Sequence, residues 1–250
     1  MMELFNQSML IVPLIFLAAL LFSSVGHGGA SGYLAVMALM AVAPASMRPA
    51  ALVLNVLVAS IALYKFYKAG AFSKKLLLPL VIASVPCAFL GGQMTLPTQI
   101  YKPIIGAVLL YGAWTLLRQA NKNVTVAEAP DPPVLLGLGG GLGLLAGLTG
   151  IGGGVFLSPI LLYFRWAETR VVSGVAAGFI LANSIAGLIG VMQKSPKFPE
   201  GLIYWAVAAV AGGLIGAEYG SKRLANPAIK KLLALVLVIA GSKLILDMLK

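Results

Sequence analysis

The chain has 250 residues, 60% of them hydrophobic and 10% charged, with 18 Lys and Arg against 7 Asp and Glu for a net charge of +11. Soluble domains hold about 45–50% apolar and about 25% charged residues, so the composition excludes a water-soluble fold and requires a lipid bilayer as partner. The basic residues lie between apolar segments, the pattern that fixes membrane topology, and this excludes the clustered basic patch of a nucleic-acid binder.

A transmembrane helix needs about 20 apolar residues. Apolar stretches run over 9–25, 30–46, 48–64, 76–94, 100–117, 134–149, 152–164, 171–192, 201–220 and 228–249, which predicts an all-α polytopic membrane protein with no soluble domain. The first stretch is led by Glu3 with no Lys or Arg, and its apolar character continues past Gly32, so it reads as a retained helix and not a signal peptide. It is followed by "SSVGHGGASG", Ser23 to Gly32, where four glycines surround His27, the only histidine. Further on, Lys65, Lys68, Lys74 and Lys75 make a basic loop, and Cys87 stands alone in "SVPCAFLGG". One cysteine permits no intramolecular disulfide and offers no metal-ligand spacing, and no cofactor motif is present. After 100–117 comes the polar, proline-ended linker "NKNVTVAEAPDPP", 121–133. A second glycine cluster, "GLTGIGGGVFLSP", runs from Gly147 to Pro159.

The two clusters mark a repeat. At an offset of 124, Gly150, Gly152 and Gly153 fall on Gly26, Gly28 and Gly29, and Ser184, Ile185 and Ala186 fall on Ser60, Ile61 and Ala62. This predicts an N-terminal membrane repeat, 1–120, and a C-terminal one, 134–250, within one membrane domain. Each holds a glycine-broken helix pair, spanning or re-entrant, plus three transmembrane helices. If each broken pair crosses an even number of times, twelve of the 18 basic residues lie on the cytoplasmic side, with Arg48, Lys102, Lys194, Lys197, Lys243 and Lys250 outside. Single crossings would give a poorer split of ten to eight. The expectation is therefore a pair of inverted repeats with both termini non-cytoplasmic, and repeats of this kind are common in transporters.

A two-fold axis in the membrane plane would let the glycine turns meet near the midplane. Helices opening at Gly29 or Ala30 and at Gly153 or Gly154 would aim free N–H groups and positive dipole ends into a shared cavity, where anions bind. His27 and the break residues Gly28, Gly29, Ala30 and Ser31 line one side; Gly152, Gly153 and Gly154 line the other. Asn55, Ser60, Asn183 and Ser184 lie on the helices that follow. The same offset sets Asn183 opposite Ala59, one turn from Asn55, so both amides are expected to face the cavity. Glu218 is expected to pair with Lys222 at i+4. Arg48, Arg165 and Arg170 read as topology anchors, and Tyr64, Tyr67, Trp114, Trp166 and Trp205 as interfacial belts.

These residues resemble a family, the sulfite exporter TauE/SafE family of bacterial membrane permeases, whose two hallmark regions look like "GHGGASG" and "GIGGGVFLSP". The resemblance covers essentially the whole chain. It implies a secondary transporter in the bacterial inner membrane that exports small anions, such as the sulfur oxyanion sulfite or the organosulfonate sulfoacetate, by alternating access. It leaves open the anion, the direction of transport (out of or into the cell), the coupling ion (proton or sodium) and the homo-oligomeric state. An anion or solute channel is the alternative. An intramembrane serine protease is weaker: "GASG" matches a G-x-S-G motif, but His27 sits in the same break as Ser31 and no other histidine exists to act as base.

Overall fold

With no water in the bilayer core to satisfy N–H and C=O groups, a chain this apolar must close its hydrogen bonds within helices. The computed structural model describes residues 2–118, 130–194, 196–222 and 227–246. These residues form helices with no strand among them: α1 Met2–Ser23, α2 Ala30–Leu39, α3 Pro44–Lys68, α4 Lys74–Gln93, α5 Thr98–Arg118, α6 Pro132–Thr149, α7 Gly154–Tyr163, α8 Thr169–Met192, α9 Leu202–Lys222 and α10 Pro227–Leu246. Most of the linker 121–133 lies outside the described residues, as do Lys122, Arg223 and Lys250 of the topology count.

Six helices, α3, α4, α5, α6, α8 and α9, are long and apolar enough to cross a membrane. The second helix of each half is not: α2 and α7 have ten residues each, a rise of about 15 Å against a hydrocarbon core of roughly 30 Å. Both start at a glycine break, so each break delivers a half-length helix.

Helices α3 and α8 pack against each other at the centre, flanked by α4 and α9, while α5 packs on α10. Exchanging α1–α5 with α6–α10 turns the most extensive contacts into one another, although α6–α7 does not match the extent of α1–α2, nor α5–α7 that of α2–α10. The α1–α9 contact maps onto α6–α4, α3–α9 maps onto α8–α4, and α3–α8 and α5–α10 map onto themselves.

Glycine makes two of these contacts unusually close. Gly139, Gly143 and Gly147 of α6 lie against the Leu80, Ser84 and Ala88 carbonyls of α4, and Gly212, Gly216 and Gly220 of α9 lie against those of Phe16 and Leu20 of α1 and of Ser24 just beyond its end. The i, i+4 spacing puts each trio on one helix face. Without a hydrophobic force between helices in lipid, such backbone approach supplies the van der Waals contact that holds them together. Ser23 Oγ adds a hydrogen bond to the Gly213 carbonyl at 3.3 Å.

Two expectations fail here. Trp205 is not at an interface; it is 2% exposed in the core, whereas Tyr64, Tyr67 and Trp114 are exposed. Ser60 turns outward and donates to the Val56 carbonyl of its own helix.

Candidate functional site

The first break begins where α1 ends. The His27 N–H bonds to the Phe22 carbonyl and the Gly26 N–H to that of Ser23, and Gly26 adopts φ +75° with Ser173 of α8 packed where a side chain would stand. Gly29, at φ +100°, is the N-cap of α2, with no side-chain cap. The second break repeats the plan. Gly150 (φ +80°) caps the C-terminus of α6, and Gly153 (φ +83°) is the N-cap of α7, again with no side-chain cap. The first N–H groups of α2 and α7 therefore receive nothing from their caps, and each helix turns a positive dipole end into its break.

Both breaks reach the same two side chains. A Cβ added at Gly28 would lie 2.8 Å from Asn55 Oδ1 and 2.9 Å from Ile180 Cγ2; one added at Gly152 would lie 2.8 Å from Ile180 Cγ2 and 2.9 Å from Asn55 Nδ2 and Ser184 Oγ. Gly154 also abuts Ile180. The α3–α8 crossing is thus clasped by one glycine turn from each half.

Asn55 is fully buried. Its Nδ2 donates to the Ile151 carbonyl and to Ser184 Oγ, both at 3.3 Å, while its Oδ1 has no partner. Asn183 is equally buried and neither of its amide atoms is hydrogen-bonded. Leaving such groups unsatisfied costs about 1–3 kcal/mol each, the kind of cost that marks a site for polar recognition.

The expected residues are brought together unevenly. Gly28, Gly152, Gly154, Asn55 and Ser184 meet. Asn183 does not reach Asn55; Ser184 does, and the cause is a register difference. The loop from α2 to α3 has four residues, 40–43, and that from α7 to α8 has five, 164–168. The extra residue makes the offset 125 in the third helix of each half, so Asn55 matches Ile180 and Arg48 matches Ser173, as their contacts with Gly28, Gly152, Gly26 and Gly150 show. Asn183 then matches Val58, not Ala59. Phe179 and Gly187, one turn either side of it, lie against Gly153 and Gly147, placing Asn183 on the α8 face turned to the second break.

His27 is buried, and its Nδ1 donates to the Val25 carbonyl at 3.2 Å, folding the ring onto its own turn. Ala30 and Ser31 are buried in the first turn of α2. Gly29 lies under the Tyr33 ring, whose hydroxyl donates to the Gly28 carbonyl at 3.0 Å. Sequence reasoning missed Tyr33, Ile180 and Arg48. For Arg48 a signal existed: it precedes Asn55 by seven residues, two turns along the same face of α3.

The profile of the family described as sulfite exporter TauE/SafE matches residues 11–244. This chain belongs to that family. A curated relative from Sinorhizobium fredii, named as a probable membrane transporter protein y4hK, is 36% identical over 234 residues, covering 92% of this chain and 95% of the relative. No solved structure matches. The TauE/SafE chain is accordingly an integral membrane transporter and not an enzyme, which disposes of the protease reading of Ser31.

Proposed function

We propose that this TauE/SafE protein is a secondary transporter that exports small anions, sulfur oxyanions or organosulfonates such as sulfite or sulfoacetate, across the bacterial inner membrane. One observation carries the reading: the glycine break of each half delivers an uncapped half-helix N-terminus to the crossing of α3 and α8, beside buried amide atoms with no partner. Such termini bind oxyanions through backbone N–H groups and the helix dipole. An anion held there accepts hydrogen bonds from α2 and α7 and from the Asn183 amide. Gly28 and Gly152 let backbone and ligand approach where any side chain would fill the space.

The exchange of helix contacts between halves, together with the basic-residue split, supports inverted repeats with both termini non-cytoplasmic. Alternating access then rocks the flanking helices about the fixed crossing. The test is a thermal-shift screen of purified protein against sulfite, thiosulfate, sulfoacetate, taurine and lactate, since a ligand bound to the folded state raises its stability. Counterflow in liposomes follows with the best ligand. Saturable exchange of an anion supports the proposal. Unsaturable conductance replaces it with a channel.

A further inference from the structure

Arg48 is the observation that the proposed site does not use. It is 8% exposed in the second turn of α3. Its Nη1 donates to the Met94 carbonyl at 2.7 Å, and its Nη2 to those of Gly91 and Gly92 at 2.6 and 2.7 Å; its Nε is buried with no partner. These carbonyls, at the C-terminal end of α4, hold the guanidinium in place and set the negative end of the helix dipole against it, equivalent to about half a unit charge, so they cancel its charge only in part. Among the described residues no carboxylate cancels the rest, since both ion pairs belong to Glu218, which joins Lys65 and Lys222 at the opposite end of α3. The Arg48 stem also supports the second break, since a Cβ on Gly150 would lie 3.0 Å from its Cγ.

A cation inside a membrane protein with no carboxylate partner is costly, and such groups mark ligand pathways. Arg48 lies about 10 Å along the helix from Asn55, on the same face. The other half provides no equivalent, because Ser173 occupies the matching position and is neutral. Arg170 stands further off: it donates to the Ser221 carbonyl, ten residues or about 15 Å from Ile180, with Glu218 one turn along α9 from its acceptor.

We infer that Arg48 is a specificity residue that makes the site prefer dianions over monoanions. The inference rests on the anion-transport reading and names its substrate class. The separation of charge and anion is taken as the helix rise from Arg48 to Asn55, about 10 Å. At an effective dielectric constant near 20, the fixed charge then tightens binding about fifteen-fold for a monoanion and by the square of that, about two-hundred-fold, for a dianion. The discriminating quantity is the ratio of the two affinities. A purely structural role leaves that ratio unchanged.

The experiment is titration calorimetry of purified protein at pH 8 with sulfoacetate as the dianion and lactate as the monoanion. Arg48→Gln is expected to lower the dianion-to-monoanion affinity ratio about fifteen-fold. Arg48→Lys keeps the charge and is expected to hold the ratio within about two-fold, even where its lost donors weaken both ligands. Tyr101→Glu sets a carboxylate near the guanidinium, because the Tyr101 hydroxyl donates to the Thr149 carbonyl at 3.2 Å, next to Gly150, which packs on the Arg48 stem. It is expected to lower the ratio while leaving the three carbonyl contacts in place, which covers the case in which Arg48→Gln does not fold. An equal loss for both ligands in Arg48→Gln, or an unchanged ratio in Tyr101→Glu, overturns the inference. Wild-type protein that binds neither ligand overturns the transport reading itself, and the inference with it.

Discussion

Replacing Gly28 and Gly152 separately by Ala measures how tightly the two breaks clasp the α3–α8 crossing. The new methyl at Gly28 would stand 2.8 Å from Asn55 Oδ1 and 2.9 Å from Ile180 Cγ2, well inside the 3.5–4.0 Å of ordinary contact. Overpacking of this degree costs about 1–3 kcal/mol. Gly152→Ala meets three neighbours at 2.8 and 2.9 Å and also forces an L residue to φ +77°, adding about 1–2 kcal/mol. The expected losses are therefore about 1–3 kcal/mol for Gly28→Ala and about 2–5 kcal/mol for Gly152→Ala. Combining either with Ile180→Ala separates the terms, since trimming Ile180 relieves its share of the clash but neither the contact with Asn55 nor the backbone strain at position 152. Gly28→Ala should recover more than Gly152→Ala. The measurements are the thermal-unfolding midpoint in detergent and the counterflow rate in liposomes, with counterflow falling at least about ten-fold, or ~1.4 kcal/mol in barrier. Both single variants exchanging at the wild-type rate with unshifted midpoints would refute the reasoning.

Three further outcomes are expected. Cysteines at Lys68 and Lys222 should be labelled by an impermeant thiol reagent from the cytoplasm and one at Lys194 from outside; labelling of 68 and 222 from opposite sides defeats the inverted repeat. Ala30→Asp and Gly154→Asp should each abolish anion binding by calorimetry, because a carboxylate occupies the free N–H groups and repels the ligand, while Ala30→Asn retains a measurable part; equal binding by Ala30→Asp and Ala30→Asn defeats the electrostatic argument. Glu218→Gln removes the ion pairs to Lys65 and Lys222, but with an exposed, solvent-screened carboxylate the expected outcome is only a small midpoint shift that shrinks in high salt; a large, salt-independent shift defeats this reading.

The ten helices among the described residues were legible because each is an apolar run closed by glycine, proline or charge, and the two breaks because their glycines repeat at an offset of 124. Glycine density alone does not mark a break, since Gly137, Gly139, Gly140, Gly141 and Gly143 all lie within the unbroken α6. The Glu218–Lys222 pair followed from helical spacing alone. What stayed hidden depends on contacts between distant segments. Arg48 resembled an interfacial anchor, since only the return of α4 brings the carbonyls of Gly91, Gly92 and Met94 around it. The pairing of Asn55 with Ser184 was displaced by one residue, because a one-residue difference between two loops rotates a helix by about 100° without altering its apolar pattern. Trp205 gave the same signal as a belt residue, and its burial follows from which face α9 turns to the rest of the bundle.

The glycine-lined seam between α1 and α9 has a consequence for how the protein is made. The hydrogen bond from Ser23 to Gly213 spans 190 residues, so α1 enters the bilayer long before the helix it fits has been synthesised. At about 5–20 residues per second, that interval is about 10–40 s. Through this time the face of α1 that will meet bare backbone lacks its α9 partner, whereas α4 waits far less for α6. The last-made third of the chain thus completes the packing of its first helix, and a ribosome stalled before α9 leaves the N-terminal helix without its closest neighbour.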